Sequence, residues 1–581
     1  MNNQRLYFIL TLLACLSGCL RRGSDLEADT VSSVLIEMMP LEQTPGGESH
    51  DLSGSGVFSV IPYNMDTNTL YTSVDFDIAS RSGEIPPLPL GTWKFYVSGQ
   101  HNGQPFFGVS TQCKVGEFES ILAPTFYGKS QCTGLLPPLR GPADIEGSSD
   151  LARSYDGAEA ITLEDGRVLV IGGGSIDISS GRLNAVSQDI QYYDPTYGVV
   201  RVSTTQLAVP RAFHHATLLI DGRILVAGGI SGITAGGEYI VDSTAELISV
   251  NDDGSLSITG PINMDKPRYQ HNQVLLNDAS VLLAGGLDAN FTILDSATRF
   301  FPDTEEFVAQ GNLNTPRVDS SISQLKRTAE KALISGGMSE TGPVASTELF
   351  VTNFSAAGCV PNPTDTIGCF VRSVDLNRPR WGHSSVTLED GSILFVGGFQ
   401  DGTLTSPRDA INILEQHIFQ ISRDSNGNPI SAMALVQDAV GQLNTARGHA
   451  TLVRINPYDI EDQFAFIGGY NNDNTTNAVE IINAQVLSQG LMGAQASVNL
   501  TCPLSEDRMR TMGVTTAEGA VMIFGGVKQG NDPMSGSRVN IASRRIEMIY
   551  PTIWVEGTLR NNQQVSQPST SYRNFETLVS W

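Results

Sequence analysis

The sequence predicts an all-β protein, and three observations lead to this fold class. Glycine accounts for 58 of the 581 residues and proline for 28, whereas charged residues make up only 17%. Glycine and proline at this density are typical of many turns joining short strands. Apolar residues make up 40% of the chain, which is enough for a sizeable core. Short apolar runs also end repeatedly in a glycine doublet, which indicates an internal repeat.

The repeat has seven copies between residues 145 and 560. Each copy contains a short, mostly apolar run followed by two glycines. The doublets are Gly172 and Gly173, Gly228 and Gly229, Gly285 and Gly286, Gly336 and Gly337, Gly397 and Gly398, Gly468 and Gly469, and Gly525 and Gly526.

The surroundings of the doublets are also similar. Upstream of the apolar run, glycine occupies a predicted hairpin turn, mostly after Asp, in four copies: Gly166, Gly222, Gly391 and Gly519. Further upstream lies an arginine in each copy: Arg153, Arg211, Arg268, Arg317, Arg380, Arg447, and Arg508 or Arg510. A histidine follows it in four copies, represented by His214 and His215, His271, His383 and His449. A later strand carries a glutamate: Glu246, Glu348, Glu480 and Glu547.

Each unit therefore reads strand, turn, strand, Gly-Gly, loop, strand, and this pattern resembles the kelch repeat. The resemblance implies a β-propeller of four-stranded blades, with seven blades expected and six if a terminal unit is incomplete. The fourth unit lacks the turn glycine and the histidine, which blurs the predicted boundaries there and in the sixth unit. The segment 553–557 is the predicted strand that closes the ring, and 561–581 is a predicted tail.

A second, smaller β-domain is predicted over residues 33–138. Short runs that alternate apolar and polar residues, such as Val74–Ile78 and Trp93–Val97, have the pattern of half-buried strands. About seven such strands in a hundred residues fit a β-sandwich, here expected to be immunoglobulin-like. Residues 137–142 contain three prolines and are read as a linker.

The N-terminus has the composition of a secretory signal. One arginine precedes an apolar run from Leu6 to Leu16, which is too short to span a bilayer. Leu16, Ser17, Gly18 and Cys19 together resemble a bacterial lipobox. This resemblance implies that residues 1–18 are a lipoprotein signal peptide, that Cys19 carries the lipid, and that 19–32 is a tether. The predicted location is the cell envelope, with Leu20 favouring the outer membrane over the inner one.

Five cysteines remain after Cys15 and Cys19. The short spacings favour two local disulfides, Cys113 with Cys132 and Cys359 with Cys369, although spacing alone does not determine connectivity. Cys502 is then the odd cysteine, expected to be a buried thiol.

The recurring arginines and histidines invite two interpretations. One histidine per blade could form a metal cluster, but identical positions in a repeat generally pack in the same way, so we expect Arg211, Arg268, Arg380 and Arg447 to be scaffold residues. The repeated glutamates could pair with these arginines in the interior. The polar loop 471–477 could hold Ca²⁺, and a solvated loop is the simpler interpretation.

Function is predicted by analogy with kelch propellers. The expected role is non-enzymatic binding of a protein or glycan by the variable loops after the doublets, with no cofactor. The alternatives are an extracellular enzyme, either a galactose-oxidase-like copper radical oxidase or a carbohydrate-active enzyme, and a structural envelope component. The net charge of −25 argues against binding of nucleic acid or of an anionic membrane surface, so membrane contact is expected only through the lipid.

Overall fold

The computed structural model consists of short antiparallel strands. It describes residues 8–14, 34–40, 57–64, 69–72, 74–77, 82–85, 88–89, 91–101, 104–110, 113–115, 121–123, 125–129, 151, 155–163, 166–177, 180–194, 199–251, 254–325, 332–352, 367–423, 429–455, 462–472, 474–484, 496–500, 503–504, 506–516, 521–531, 538–544 and 546–549. Over these residues, no helix has the length and apolar character that crossing a membrane requires.

The N-terminal region forms two antiparallel sheets, in the orders β10-β1-β2-β6 and β11-β8-β7-β3-β4, with β5 on β3 and β9 on β7. Their strands are β1 (Phe8–Ala14), β2 (Val34–Pro40), β3 (Val57–Asn64), β4 (Thr69–Leu70), β5 (Val74–Asp77), β6 (Ser82–Ile85), β7 (Gly91–His101), β8 (Gln104–Ser110), β9 (Cys113–Val115), β10 (Ile121–Ala123) and β11 (Thr125–Lys129).

In the second sheet, every other residue of a strand is buried in the core. Trp93 and Phe95, two positions apart on β7, are fully buried, as is Val60 on the neighbouring β3. The Trp93 indole N–H donates to the Pro89 carbonyl at 3.0 Å, so the buried ring keeps a hydrogen bond. The predicted β-domain thus contains two antiparallel sheets, and its immunoglobulin-like topology stays a prediction.

The strand β1 lies inside the predicted signal peptide. Its residues pair with β2 from Phe8 opposite Pro40 to Ala14 opposite Val34, and with β10 on the other side. An apolar run of this length satisfies either role, because a signal core and a buried strand both need continuous apolar residues. Cleavage before Cys19 would remove β1 from its position between β2 and β10. That cleavage stays a prediction.

Residues 155–549 form a seven-bladed β-propeller, and six blades are excluded. The blades contain β12 (Glu159–Thr162), β13 (Val168–Ile171), β16 (Ile190–Asp194) and β17 (Val199–Val202); β18 (His215–Leu218), β19 (Ile224–Ala227), β22 (Thr244–Val250) and β23 (Leu256–Asn263); β24 (Asn272–Leu275), β25 (Val281–Ala284), β26 (Ala297–Phe301) and β27 (Glu306–Ala309); β28 (Ser321–Gln324), β29 (Ala332–Ser335), β32 (Thr347–Val351) and β33 (Cys369–Arg372); β34 (Ser384–Thr387), β35 (Ile393–Val396), β38 (Ile413–Arg423) and β39 (Pro429–Gln442); β40 (Thr451–Arg454), β41 (Asp462–Ile467), β44 (Val479–Ala484) and β45 (Ser497–Leu500); and β46 (Met512–Thr515), β47 (Val521–Phe524) and β50 (Ile546–Ile549).

Two-stranded ribbons connect the second and third strands of six blades. They are β14 (Gly174–Ile176) with β15 (Leu183–Val186), β20 (Ile230–Ile233) with β21 (Tyr239–Val241), β30 (Met338–Ser339) with β31 (Gly342–Pro343), β36 (Phe399–Thr403) with β37 (Ser406–Ala410), β42 (Tyr470–Asn471) with β43 (Asn474–Thr475), and β48 (Val527–Asn531) with β49 (Arg538–Ala542). Blade 3 has a single bridge between Leu287 and Ile293 instead. We call the end of the propeller that carries these connections the ribbon face.

The ring is closed. The first strands of neighbouring blades contact one another around the axis, and β12 of blade 1 contacts β46 of blade 7. At this junction the Arg544 side chain donates to the Leu151 carbonyl at 2.6 Å, and the Leu151 N–H donates to the Arg544 carbonyl at 2.9 Å. Closure leaves only short, protected strand edges around the axis. The predicted closing strand 553–557 and the tail lie outside the described residues.

The glycine doublets join neighbouring blades. The first glycine lies so close to the next blade that an added Cβ would be 2.3 Å from the Arg380 carbonyl oxygen at Gly336, and 2.5 Å from that of Arg268 at Gly228. The second glycine donates its N–H to the same carbonyl, as Gly337 does to Arg380 at 2.8 Å. A side chain at the first position would displace this inter-blade hydrogen bond, which explains the doublet.

The predicted turn between the first and second strands is also present. Gly222 has a φ of 83°, and its N–H donates to the Leu219 carbonyl at 3.1 Å. Blade 3 makes the same turn with Ala279 at a φ of 69°. Blades 4 and 6, whose boundaries the sequence blurred, each have four strands.

Candidate ligand-binding site at the propeller axis

The repeated arginines lie inside the blades. Arg211, Arg268, Arg317, Arg380, Arg447 and Arg508 have no exposed surface. Five of them contact a glutamate on the third strand of their own blade: Glu246, Glu348, Glu415, Glu480 and Glu547. The arginine of blade 7 is therefore Arg508, the open choice in the sequence. Arg153 lies outside the described residues, and the expectation of an arginine at this position in every copy is wrong for blade 1, where Tyr155 occupies it and donates its hydroxyl to the Asp189 carboxylate at 2.6 Å.

Sequence reasoning missed Glu415, and it did not foresee that blade 3 lacks the pair. Thr298 occupies the glutamate position there, so among the described residues Arg268 has only Asp265 as an acidic partner, at 3.9 Å. Burial lowers the pKa of Arg268 and Asp265 opposes this. Glu415 sits opposite Phe395, as Glu348 sits opposite Ile334, but the glutamates lie at different distances from their doublets along the chain, so no fixed spacing marked Glu415 in the sequence.

The repeated histidines fall into two groups. His214, His271 and His383 follow the arginine by three residues and are buried, and the His383 Nε2 lies 2.8 Å from the Ser321 Oγ. Burial is the main cause that lowers the pKa of His214, to about 3, with Arg211 adding to it. These histidines are neutral packing groups, as a scaffold role requires.

The neutral state of His214 makes the propeller sensitive to acid. Its folded pKa lies below the ordinary histidine pKa of 6.5, so its contribution to stability is present above pH 6.5 and is lost as the pH falls toward about 3. Between pH 7 and pH 5 this linkage costs about 2 kcal/mol of unfolding free energy. His214→Thr, the residue of blade 7 at this position (Thr511), is expected to flatten the pH dependence by that amount in urea unfolding at both pH values. An unchanged slope would contradict this assignment.

His449 belongs to a different position, two residues after Arg447, and this corrects its grouping with the other histidines. We call this position in the seven blades the axial ring. It consists of Gly157, Phe213, Gln270, Asp319, Gly382, His449 and Arg510, each with a φ between 49° and 68°. Five of seven ring positions are not glycine, so this left-handed backbone is strained, and such strain persists only where the surrounding structure holds it.

Backbone hydrogen bonds hold the axial ring together. The N–H of Phe213 donates to the Gly157 carbonyl at 2.7 Å, and that of His449 to the Gly382 carbonyl at 2.8 Å. Gln270, Gly382 and Arg510 likewise donate to the preceding ring member. The ring lies on the ribbon face, because the residue before each ring position bridges to the residue after the doublet, as Ala212 does to Ile230.

The ring therefore surrounds the axis with different side chains on one rigid frame. Gln270, Asp319 and His449 are half-buried and Arg510 is exposed. An amide, a carboxylate, an imidazole and a guanidinium together offer both donors and acceptors, while Phe213 offers an apolar surface. A few converging polar groups beside aromatic rings are usual features of a binding site for a small polar ligand.

His449 is held in place by aromatic contacts. Its ring lies 5.4 Å from the Trp381 ring and 5.5 Å from the Phe399 ring. Gly382 leaves room for it, since an added Cβ would be 3.0 Å from the His449 Cε1. Burial lowers the pKa of His449, with Asp319 opposing and Arg510 adding to the shift. The neutral imidazole can therefore donate one hydrogen bond and accept another.

Asp156 adds a buried carboxylate beside the ring. It is 2% exposed, and its Oδ2 accepts from the Arg510 guanidinium at 2.8 Å. Its Oδ1 has no hydrogen-bond partner among the described residues. Arg510 also lies 5.7 Å from the Phe213 ring centroid. The buried Asp156 carboxylate therefore fixes the position of the Arg510 guanidinium on the axial ring.

The other predicted sites are placed as follows. The polar loop 471–477 forms the tight ribbon of β42 and β43, and the Asn472 side chain accepts from the Ala410 N–H at 2.8 Å, which links two blades. Cys369 is disulfide-bonded at the start of β33. Its predicted partner Cys359 lies outside the described residues. The same is true of Cys19, Cys132 and Cys502 and of the side chain of Cys113.

Across the described ranges, no group of three or more His, Cys, Asp or Glu side chains is arranged to hold a metal ion. The sequence matches no protein-family profile and no curated protein. Among solved structures, the chain is similar to a fungal alcohol oxidase of the AA5 family in complex with copper, at 14% identity over 72% of this chain and 77% of that chain, with a TM-score of 0.47. It is also similar to YjhT, at 11% identity over 60% of this chain and 98% of that chain, with a TM-score of 0.39. At these identities and TM-scores, neither similarity assigns a function to this chain.

Proposed function

We propose that the propeller is a binding scaffold of kelch type that recognises a protein or glycan at its axial ring without chemical turnover. The observation that carries this proposal is the ring itself. Seven equivalent backbone positions carry two glycines and five different side chains, on a frame whose other repeated positions are scaffold. Variable groups on a rigid, repeated support are the usual arrangement of a recognition surface.

The test is a binding assay with ring variants of the full chain. We expect Gln270→Ala combined with Asp319→Asn to abolish retention of the ligand that the wild-type protein captures from intact envelope material or a glycan panel. Both side chains are half-buried on the axial ring, and neither contributes to the buried Arg–Glu pairs. Each lost polar contact to a ligand costs about 1–3 kcal/mol, so the pair should weaken binding at least tenfold.

The control for the ring variants is Asp221→Asn, which alters a turn at the opposite end of blade 2 and should bind normally. Full retention by the ring double variant, with the fold intact by circular dichroism, would contradict the proposal.

We further propose that the protein is a bacterial lipoprotein of the cell envelope, probed through Cys19. The support is the lipobox-like sequence at 16–19 after an apolar run. Cys19→Ser is expected to move the protein from the membrane fraction to the soluble fraction, because the acyl chains are the proposed anchor. Immunoblots of both fractions and the intact mass of the mature protein measure this. Unchanged membrane association would contradict lipidation at this residue.

A further inference from the structure

An exposed aromatic surface lies next to the axial ring on the ribbon face. Phe291 is 54% exposed, and its ring centroid lies 6.0 Å from that of the half-buried Tyr239. The Arg182 guanidinium covers the Tyr239 ring at 5.2 Å, and Ile240 beside it is exposed. We call Tyr239, Ile240, Phe291 and Arg182 the aromatic shelf. A single exposed apolar side chain is common on protein surfaces, so Phe291 is of interest for the turn that holds it and for its position beside the axial ring.

The turn that carries Phe291 is held in one conformation by hydrogen bonds. Phe291 has a φ of 61°, a conformation that costs about 1–2 kcal/mol for a residue with a side chain. The Asp288 carboxylate imposes this turn, because its Oδ1 accepts from the N–H groups of Asn290 and Thr292 at 2.8 Å each. The Phe291 N–H also donates to the Asp288 carbonyl at 3.1 Å. A strained turn that holds an aromatic ring in water is expected where that ring has a ligand.

The shelf continues directly into the axial ring. Tyr239 packs edge-on against Tyr269, with 6.3 Å between their ring centroids. Tyr269 is 4% exposed and immediately precedes Gln270, a ring residue. A line of aromatic groups therefore runs outward from the polar side chains of the axial ring, over the connections of blades 2 and 3.

The size of the surface favours a glycan over a protein. Within the described residues at the ribbon end of the propeller, the large apolar side chains that are exposed are Val202, Ile240, Phe291, Val374 and Ile541, and they belong to different blades. A stable protein interface buries about 800 Å² on each partner around an apolar core, which a few scattered residues do not supply. A sugar needs less, because one ring face can stack on an aromatic side chain while its hydroxyls bond to mixed donors and acceptors.

The charges favour a neutral ligand. The axial ring and the aromatic shelf carry two positive charges, on Arg510 and Arg182. The carboxylates of Asp156, Asp288 and Asp319 lie near them and balance these charges. An acidic sugar would find no excess of positive charge there, and the chain as a whole carries a net charge of −25.

We propose that the aromatic shelf is a second subsite that binds a neutral oligosaccharide whose end sits in the axial ring. This inference rests on the proposed function, since it assigns the ligand class of that same site. The shelf adds affinity only for chains long enough to reach from the ring to Phe291, so a monosaccharide and an oligosaccharide of the same sugar should respond differently to changes on the shelf.

The experiment is calorimetric titration of the full chain. The probes are glucose, xylose and N-acetylglucosamine, the pentasaccharides cellopentaose, maltopentaose, laminaripentaose, xylopentaose and chitopentaose, and pentagalacturonic acid as the acidic arm. We expect at least one neutral pentasaccharide to bind. Phe291→Ala should weaken that binding about tenfold, a loss typical of one aromatic contact, while leaving the monosaccharide unchanged. Phe291→Gly, which suits the positive φ, should do the same and keeps the test valid if alanine disturbs the turn. Ile220→Ala, exposed at the opposite end of blade 2, is the matched control.

Three results would overturn the inference. They are failure of every neutral pentasaccharide to bind, equal affinities of the Phe291 variants and the Ile220 control, and tighter binding of the acidic arm. If a protein partner is captured instead, with binding that depends on Gln270 and Asp319, the glycan assignment is wrong while the proposed function stands. Binding of any ligand that is indifferent to Gln270 and Asp319 contradicts the proposed function itself.

Discussion

Replacing Gly336 with alanine is expected to lower the free energy of unfolding of the propeller by about 3–5 kcal/mol. The alanine must adopt a φ of 56°, which costs about 1–2 kcal/mol. Its Cβ would also fall 2.3 Å from the Arg380 carbonyl oxygen of the next blade, and relieving such an overlap typically costs another 1–3 kcal/mol or so. The neighbouring blades must separate to accommodate it, which weakens the Gly337 hydrogen bond to that same carbonyl. Urea unfolding followed by circular dichroism measures the loss.

The matched control is Gly222→Ala. Gly222 has a φ of 83°, yet no atom lies within 4 Å of the Cβ that alanine would add. This variant carries the conformational cost without the collision, so its loss should stay at about 1–2 kcal/mol. Equal losses for the two variants would show that the doublet is needed only for its backbone angle and would refute its role in joining blades.

Replacing Glu348 with alanine is expected to cost about 3–5 kcal/mol, the range found when one partner of a buried ion pair is removed. The Glu348 carboxylate accepts from the Arg317 guanidinium at 2.6 Å and from the N–H groups of Asn314 and Thr315 at 2.7 and 3.0 Å. Arg317 and Glu348 are buried, so the variant leaves a charge and two backbone donors without their acceptor. Thermal and urea unfolding measure the loss, and Glu348→Gln separates the charge from the hydrogen bonds.

Blade 3 supplies the control for Glu348. Thr298 occupies the equivalent register, and within the part of the chain that the structure describes its hydroxyl donates only to the Val308 carbonyl, at 3.3 Å. Thr298→Ala should therefore cost about 1 kcal/mol, the net worth of one ordinary hydrogen bond. If Glu348→Ala costs no more than Thr298→Ala, the arginine does not depend on its glutamate, and the repeated pair is not a stabilising element.

The seven blades could be predicted from the sequence because the features that define them are local. A turn that needs a positive φ and a backbone that approaches its neighbour too closely for a side chain both restrict the residue to glycine or nearly so. Gly222 and Gly336 record those two constraints directly in the sequence. The seven copies therefore remained countable even where blade 4 lacks the turn glycine, since its doublet keeps the inter-blade contact.

The site was less predictable, because the axial-ring positions are structurally equivalent but carry different residue types. His449 looks like His214 in the sequence, both being histidines shortly after an arginine. A difference of one residue puts His214 in the interior and His449 on the axial ring. The aromatic shelf was not foreseen either, since Tyr239 and Phe291 lie in connections of different blades, where no periodicity marks them.

The sequence by itself determined the all-β class and the seven-copy repeat, because both depend on local backbone geometry that recurs along the chain, and it favoured seven blades over six. Only the tertiary structure decided which side chains meet at the axis. Closure of the ring brings Asp156 of the first blade to Arg510 of the last, 354 positions apart in the chain, and no pattern along the sequence encodes that contact. The fold repeats itself seven times, whereas the site exists only once, where the seven copies converge.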